Sequence, residues 1–409
     1  MSRPLDGVIV LDFTRVYSGP YTTLLLADMG AQVIKVEHPA HGDDSRAFGP
    51  FIAGTSGYFE TLNRGKRSIA VDYRHADGQA LLRRLVPQVD VVVENFRPGQ
   101  MARYGLGYDD LKALHPALVY VSISGYGQFG PDAHLGCYDV VAQAVSGLMS
   151  LTGLPELPLK TGPAIADAIT GLTAAVGLLG ALYQRSRTEQ GAFVDVAMVD
   201  SVFAVLENAL AEYSVSNQRP TRQGNSDSAL APFDAFATRE GWLVIGVGND
   251  RLWQALATLV DPALLDDARF ETNAGRVQHY GALRPTLAAW CSARTTQDTL
   301  TLLHAAGVPS GAVRSIDELT TDAHLEARGM LQRLTLAADE TLLVPGSPLH
   351  ISDSERPPAQ RAPHLGEHTG AILMQMASMK ADEMAMLAAR GIASGLNQSN
   401  ASTLQARLC

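Results

Sequence analysis

Short apolar runs alternate with helix-like segments along the first part of the chain. The first run is 8–13, and 21–30 follows it with apolar residues at helical spacing and a closing glycine. Further apolar runs lie at 32–37, 68–72, 90–94 and 117–123, with helical patterns at 78–89 and 108–115. Short runs rich in Val and Ile that alternate with helices are typical of a parallel sheet covered on both faces. This part of the chain therefore predicts an α/β fold with a doubly wound parallel sheet.

The pattern beyond residue 138 predicts a second, smaller domain. Residues 138–212 are mostly helical, and a polar stretch at 214–228 has the composition of a linker. A strand pattern restarts at 241–248, and several helical patterns follow it. The expected domains are a large one at 1–225 and 326–393, a small α+β one at 226–325, and a disordered polar tail at 394–409.

Composition and charge narrow the classes of protein to which this chain belongs. Its 409 residues are 46% hydrophobic and carry a net charge of −10, which argues against a nucleic-acid partner. Cys137, Cys291 and Cys409 lack metal-ligand spacing, as do the histidines, and this favours a reducing compartment and no metal. The sequence shows neither a signal-like start nor an apolar run of about 18 residues. We expect a cytoplasmic protein without a membrane partner.

Asp167 stands among small and apolar residues near the start of a predicted helix. Ile165, Ile169 and Leu172 keep helical spacing, Pro163 suits a first helical position, and Asp167 lies off this apolar stripe. Asp is rarely buried without a partner, and a helix start favours its charged form. The pattern indicates an accessible nucleophile, although a structural carboxylate at a helix start fits the same residues.

Polar and basic residues follow several of the predicted strands. The segments are 12–20 after the first strand and 94–99 after a later one, with Arg103 beyond it. Ligands of open α/β sheets bind at the carboxyl ends of strands, where Arg pairs with phosphates. A solvated charged surface is the alternative. A second basic cluster flanks 68–72, and the two clusters together suit a polyphosphate such as that of coenzyme A.

Asp139 and Cys137 lie close together around the start of the next predicted helix. Asp139 stands at a helix start, where it is either a partner of the helix dipole or a direct participant in the chemistry. Cys137 has no His beside it in a recognisable pairing, and we interpret it as structural.

Taken together, these segments resemble the class III CoA-transferases, the CaiB/BaiF or formyl-CoA transferase-like family, and their racemase relatives. The resemblance runs in order from about residue 5 to 392. Its motifs are LDFTRV at 11–16, GAQVIKVE at 30–37, GKRS at 65–68, ENFRPG at 94–99, SISGYG at 122–127, ADAITG at 166–171 and LGEHT at 365–369. Each motif is weak alone, whereas their ordered set is specific.

The resemblance implies a fold, an assembly and a reaction. The large domain is expected to be Rossmann-like, and two chains are expected to interlock as a homodimer. Asp167 matches the family nucleophile, which attacks an acyl-CoA thioester, forms a mixed anhydride and then an aspartyl-CoA thioester, and passes CoA to an incoming carboxylic acid. Covalent catalysis of this kind divides a difficult step into easier ones. Coenzyme A thioester is then a substrate, and no tightly bound cofactor is expected.

The resemblance also assigns residues to the site. Tyr138, Asp139, Arg15 and Gly136 are expected to line it. The expected CoA contacts are Val16, Tyr17, His38, Arg74, Asn95, Phe96, Arg97 and Arg103. Two positions depart from the family pattern: His38 stands where some relatives have Arg, and Asp227 stands where many have His. General likeness to this branch of the family makes a small dicarboxylate the expected acceptor, and Arg15 is a candidate for meeting its second carboxylate.

Two other functions compete with CoA transfer. An α-methylacyl-CoA racemase shares the fold and the CoA site but needs an acid/base pair, and those relatives carry His where this chain has Tyr138. A non-catalytic CoA-binding protein is the third candidate, and the presence of Asp167 argues against it.

Overall fold

The computed structural model describes residues 3–337 and 340–396, which form two compact units. The larger unit comprises Met1–Leu148, Thr161–Asn208 and Ala323–Cys409, and the smaller comprises Met149–Lys160 and Ala209–Asp322. The smaller unit thus begins earlier than the expected 226–325 and includes a separate hairpin segment. Arg222 joins these two segments, since its guanidinium donates to the carbonyls of Leu154 at 2.9 Å and Pro155 at 2.7 Å.

The secondary structure follows in chain order. The strands are β1 Ile9–Asp12, β2 Gln32–Glu37, β3 Phe51–Ile52, β4 Thr55–Ser56, β5 Arg67–Val71, β6 Val91–Glu94, β7 Val119–Ser124, β8 Gly153–Leu154, β9 Leu157–Pro158, β10 Phe193–Ala197, β11 Phe233–Ala237, β12 Trp242–Gly246, β13 Ser310–Ala312, β14 Leu331–Ala337, β15 Glu340–Pro345 and β16 Ala393–Ser394. The α-helices are α1 Ser18–Asp28, α2 Gly57–Asn63, α3 Ala76–Leu85, α4 Gln100–Arg103, α5 Tyr108–Lys112, α6 Asp139–Val145, α7 Leu148–Leu151, α8 Ile165–Thr188, α9 Met198–Phe203, α10 Ala209–Ser216, α11 Asp250–Val260, α12 Asn273–Gln278, α13 Tyr280–Ser292, α14 Thr296–Ala305, α15 Ile316–Leu319, α16 Ala323–Ala327, α17 Thr369–Ala377 and α18 Ala381–Ala389. Short 3₁₀ helices lie at Asp44–Ala47, Val86–Gln88 and Pro262–Leu265.

A seven-stranded sheet forms the centre of the larger unit, in the order β10-β7-β6-β1-β2-β5-β16. All neighbouring strands are parallel except β16, which pairs antiparallel with β5. Numbered among themselves, the parallel strands have the order 3-2-1-4-5-6, which is that of a Rossmann sheet. The predicted doubly wound α/β fold is therefore confirmed.

Both faces of this sheet are buried, because successive side chains of each strand point to opposite sides. In β1, Val10 belongs to the core beneath α1 and α8, and Leu11 belongs to the core on the other face. The second core also receives Leu82 of α3 and Leu373 of α17. Burial on both faces explains why these strands are continuous apolar runs rather than alternating ones.

The long helix α8 meets the length and composition of a membrane span, with a mean hydropathy of 1.7 over its most apolar window. No such segment was predicted from the apolar runs of the sequence. One helix of this kind is weak evidence for a membrane, because the core helix of a globular protein has the same properties. Here Ala174, Leu178 and Ala181 of α8 are buried in the core of the larger unit.

The smaller unit contains an antiparallel sheet in the order β11-β12-β13. Its core contains Phe236 and Leu243 from the sheet, and Trp253, Leu283 and Leu303 from α11, α13 and α14. The arrangement provides this unit with a hydrophobic core of its own.

The end of the large domain departs from the expected polar tail at 394–409. Ser394 lies in β16, the edge strand of the large sheet, and pairs with Ala70 of β5. Leu396 packs against the core. Residues 397–409 lie outside the described residues.

Candidate active site

A cavity of about 160 Å³ lies at the carboxyl ends of β1, β6 and β7 in the larger unit. It is lined by Arg15, Val16, Tyr17, Ser18, Asp44, Asn95, Ile123, Ser124, Gly125, Cys137, Tyr138, Asp167 and Met198. Strands β1 and β6 are neighbours at the point where the order of the sheet reverses. Sheets of this class bind ligands in the crevice at that point. The cavity therefore lies where the fold itself predicts a site.

Asp167 lies in the first turn of α8, which begins at Ile165, two residues later than Pro163 predicted. Burial, followed by the charge of Asp139, raises the pKa of the Asp167 carboxyl to about 6, against the downward effect of the hydroxyl and backbone N–H of Ser18. The carboxyl is thus partly desolvated yet mostly ionised at neutral pH. An ionised carboxylate of raised pKa that faces a cavity is suited to act as a nucleophile.

A close crossing of α1 and α8 brings Ser18 to Asp167. A Cβ atom at Gly171 would lie 2.8 Å from the Ser18 carbonyl oxygen, so the crossing requires glycine there. Thr22 also donates from its hydroxyl to the Gly171 carbonyl at 3.1 Å. Ser18 is the first residue of α1, and the positive end of this helix therefore faces the carboxylate.

Asp139, the first residue of α6, caps the start of α8 from outside. Its Oδ1 accepts from the backbone N–H of Ala166 at 2.8 Å and of Asp167 at 3.2 Å. Its Oδ2 accepts from Gln143 at 2.7 Å. The helix's own N-cap residue, Ala164, has no side chain able to do this. Asp139 therefore positions the nucleophile's backbone and also raises the pKa of its carboxyl.

Buried charges hold the turn after β1. The Lys35 ammonium, fully buried, donates to the Thr14 carbonyl at 2.7 Å and lies 2.8 Å from the Asp43 carboxylate. Asp43 in turn accepts from the backbone N–H of Val16 at 3.2 Å. Val16 has a φ of 68°, a strained value for a β-branched residue that persists only where neighbours enforce it. A second buried pair, Lys66 with Asp12 at 3.2 Å, supports the same turn.

Arg15 is held from two directions. Its backbone N–H donates to the Asn95 Oδ1 at 2.8 Å, and the Asn95 amide donates back to the Arg15 carbonyl at 2.8 Å. Its guanidinium lies 4.9 Å from the centroid of the Phe96 ring and pairs with Asp44 at 3.2 Å. The side chains of Asn95 and Phe96, expected to contact CoA, are thus engaged with Arg15.

The other expected CoA contacts lie outside this cavity. His38, Arg74 and Phe96 surround Tyr73, at 6.4, 5.9 and 5.8 Å from its ring centroid. Arg97 is exposed and lies close to Gly136, where a Cβ atom would be 3.0 Å from its Nη2. Arg103 is exposed in α4. In the smaller unit, Asp227 accepts from the backbone N–H groups of Ala229 and Leu230.

Some residues of the site were not among those expected. Ser18, Asp44 and Met198 line the cavity, as does Cys137, which was interpreted as structural. Burial, followed by the charge of Asp167, raises the pKa of the Cys137 thiol to about 11, which keeps it neutral. The strand-end rule that selected Arg15 also points to Asp44, because Asp44 follows β2. Within residues 3–337 and 340–396, no group of three or more His, Cys, Asp or Glu side chains is placed to hold a metal ion.

Comparison with known proteins identifies the family. Residues 5–369 match CoA-transferase family III. The chain is 38% identical to succinate–glutarate CoA-transferase of Agrobacterium fabrum, over 92% of this chain and 96% of that protein. It is also 38% identical to acetyl-CoA:oxalate CoA-transferase of Acetobacter aceti, over 92% of this chain and 97% of that protein. The crystal structure of a CAIB/BAIF family protein from Brucella suis superposes with a TM-score of 0.81 at 38% identity, covering 92% of this chain and 100% of the other.

The chain therefore belongs to CoA-transferase family III, and the predicted family is confirmed. The named relatives also show an enzyme of the CoA-transferase class rather than a racemase or a non-catalytic CoA-binding protein.

Proposed function

We propose that this chain moves CoA from an acyl-CoA thioester to a small dicarboxylic acid, with Asp167 as the nucleophile. The observation that carries the proposal is the environment of Asp167: a carboxylate with a pKa of about 6 that faces a cavity at the strand ends. The acceptor class is supported by relatives named for succinate, glutarate and oxalate.

The reaction proceeds by exchange of carboxylates and thiolates. An Asp167 oxygen attacks the thioester carbonyl, the C–S bond breaks, and CoA thiolate leaves an aspartyl-acyl mixed anhydride. The thiolate then attacks the aspartyl carbonyl, which releases the donor acid and forms an aspartyl-CoA thioester. The acceptor carboxylate repeats these two steps in reverse and leaves as its CoA thioester. Each step forms one bond and breaks one, no net proton is transferred, and Asp167 is regenerated as a carboxylate.

Residues around Asp167 have defined tasks in this scheme. Asp139 fixes the backbone of the nucleophile through its bonds to Ala166 and Asp167. Ser18 faces the carboxylate with its hydroxyl and N–H, and backbone amides of the glycine-rich segment at Gly125 are candidates for stabilising the tetrahedral oxyanions. Cavity walls limit water near the anhydride.

Coenzyme A is bound, in this proposal, along the exposed basic surface that adjoins the cavity. Arg74, Arg97 and Arg103 pair with its phosphates, and His38 presents its ring to the nucleotide. Val16 and Tyr17 contact the thioester end at the cavity. Two chains interlock as a homodimer in the cytoplasm, and no further cofactor, membrane or nucleic acid takes part.

The decisive experiment compares Asp167→Ala with the wild type. Acyl-CoA donors and acids are incubated with each protein, and CoA exchange is followed by mass spectrometry. We expect Asp167→Ala to lower exchange by at least about 10³-fold. We also expect a covalent CoA adduct on the peptide that contains Asp167 in the wild type alone.

The matched control is Asp200→Ala, which removes an exposed carboxylate of the neighbouring helix α9 and should leave exchange unchanged. Normal exchange by Asp167→Ala would contradict the mechanism. Exchange of the α-proton in deuterated water, without an acceptor acid, would instead identify a racemase.

A further inference from the structure

We propose that Arg15 recognises the distal carboxylate of a dicarboxylate held on Asp167, and that Asp44 occupies the same guanidinium when the site is empty. The proposal rests on the proposed CoA transfer and goes beyond it. It names the group that distinguishes a dicarboxylic acid from a monocarboxylic acid of equal length.

The charges around the cavity make Arg15 the candidate. Among the described residues that line the cavity, Arg15 is the one that carries a positive charge, whereas Asp44 and Asp167 are both acidic. A dicarboxylic acid joined through one end keeps a free carboxylate at the other. The anhydride leaves Asp167 uncharged, but Asp44 still places a carboxylate in this small cavity, and the free carboxylate is repelled unless a cation accepts it. Arg15 is the group able to do so.

The hydrogen bonds of the Arg15 guanidinium leave one of its donors unpaired. Nη1 donates to Asp44 at 3.2 Å, in a pair whose side chains are 37% and 51% exposed. Exposed pairs of this kind contribute little stability and are readily exchanged. Nε is buried and has no hydrogen-bond partner among the described residues, which is unfavourable for a charged donor. The edge that carries Nε and Nη2 is the one that binds a carboxylate through two parallel bonds.

Arg15 is also held in place before any ligand binds. Asn95 fixes its backbone on both sides through the N–H and the carbonyl. The buried ring of Phe96 lies beneath the guanidinium at 4.9 Å. A carboxylate therefore binds a group whose position is largely set, and little conformational entropy is lost on binding.

Asp44 acts as an internal competitor in this arrangement. It is the first residue of the 3₁₀ helix Asp44–Ala47, and its carboxylate is half exposed. When a substrate carboxylate binds Arg15, Asp44 returns to water at little cost. A monocarboxylic acid offers no group to replace it, so the Arg15–Asp44 pair persists.

The test compares pairs of acceptors that differ in one terminal group: succinate with butyrate, and glutarate with pentanoate. Steady-state kcat and KM are measured for each acid, and KM is measured for the acyl-CoA donor. We expect Arg15→Met to lower kcat/KM by about 100-fold for the two dicarboxylates and by less than about threefold for the two monocarboxylates. Arg15→Lys is expected to fall between, since Lys provides a charge without the two-donor edge.

Asp44→Asn tests the claim that Asp44 occupies the Arg15 guanidinium when the site is empty. Asp44 is exposed and lies outside the core. We expect it to lower KM for succinate and glutarate severalfold while KM for butyrate stays unchanged. The matched control is Arg83→Met, an exposed arginine of α3, which should change none of these constants.

Each remaining outcome contradicts a different claim. An equal loss for dicarboxylates and monocarboxylates, or a raised KM for every acyl-CoA donor, would assign Arg15 to CoA and refute this inference while leaving CoA transfer intact. An unchanged or raised KM for dicarboxylates in Asp44→Asn would refute the competitor role even if Arg15→Met does not fold. A wild-type enzyme that transfers CoA to no dicarboxylate would refute the proposed function itself.

Discussion

At the scale of a residue, Asp167 combines a raised pKa with a carboxyl that is still mostly ionised at neutral pH. Burial raises its pKa and thereby increases the basicity of its oxygens, while Ser18 limits the rise to about 6. A carboxylate with this pKa is mostly ionised at neutral pH and is a stronger nucleophile than an ordinary aspartate. The same desolvation makes the folded state less favourable, so the reactivity of Asp167 is obtained at the expense of stability.

This cost predicts that Asp167→Asn is more stable than the wild type at pH 8, by about 1 to 3 kcal/mol. The folded carboxyl has a pKa of about 6 and the unfolded one the ordinary value of 3.8, so the folded chain binds the proton more tightly. The penalty of the wild type is therefore complete above pH 6 and disappears as the pH falls through the interval between these values. Urea unfolding from pH 4 to 8 measures the difference.

The control for that measurement is Asp200→Asn, which replaces an exposed carboxylate of α9 and should give no gain in stability at pH 8. An Asp167→Asn variant that is less stable than the wild type at pH 8 would show that the carboxylate is a net stabilising group, contrary to the desolvated environment described above.

At the scale of an element, three helices assemble the nucleophile. Helix α8 carries Asp167, α1 approaches it at Gly171, and α6 supplies Asp139 as a cap. Asp139 therefore has a mechanical and an electrostatic effect on one residue. The two effects are separable, because Asn retains an acceptor oxygen and removes the charge, whereas Ala removes both.

We expect Asp139→Asn to shift the acid limb of the kcat/KM profile to lower pH. The acid limb reports ionisation of Asp167. Burial and then the charge of Asp139 raise the pKa of this carboxyl to about 6, so removing the charge of Asp139 lowers that pKa. Asp139→Ala should show the same shift and also lose about 1 kcal/mol of unfolding free energy with the cap. Asp200→Asn serves as the control, and an acid limb that stays in place in both Asp139 variants would contradict this assignment.

Elements of the large sheet follow from the sequence because the physical signal is local. Strands β1, β2, β5, β6 and β7 are buried on both faces and appear as continuous apolar runs. The two-residue strands of the β8–β9 hairpin are too short for any periodicity, and within the smaller unit they are bonded by Arg222, far away in the chain. Such long-range contacts leave no local pattern.

The site was predictable in part for the same reason. The rule that ligands bind at the carboxyl ends of strands locates Arg15 and Asn95. It also locates the cavity that Asp167 faces, because the topology brings these strand ends together. The direction of a loop side chain is not encoded by spacing, so the bonds from the Asn95 side chain to the Arg15 backbone could not be predicted. Asp44 was missed because an acidic turn residue is usually a solvated surface group.

At the scale of the whole molecule, the outer side of α8 exposes several large apolar side chains. Val176 is 71% exposed and Tyr183 is 67% exposed, on the helix whose other side forms the core of the larger unit. Exposed apolar residues grouped on one helix are typical of a surface that a partner covers. The proposed homodimer supplies a second copy of the chain as the covering partner.

We therefore expect Val176→Glu to weaken self-association, because the variant places a charge on a surface that the dimer would bury. Sedimentation velocity over a range of concentrations should give a dimer for the wild type and a larger share of monomer for the variant. Thermal unfolding should show that both chains remain folded, since Val176 lies outside the core. Met386→Glu in α18 is the control: it is 59% exposed on another helix of the same unit, and it should leave the sedimentation coefficient unchanged. A monomeric wild type would refute the homodimer. A Val176→Glu variant that dimerises as well as the wild type would show that the interface does not include α8.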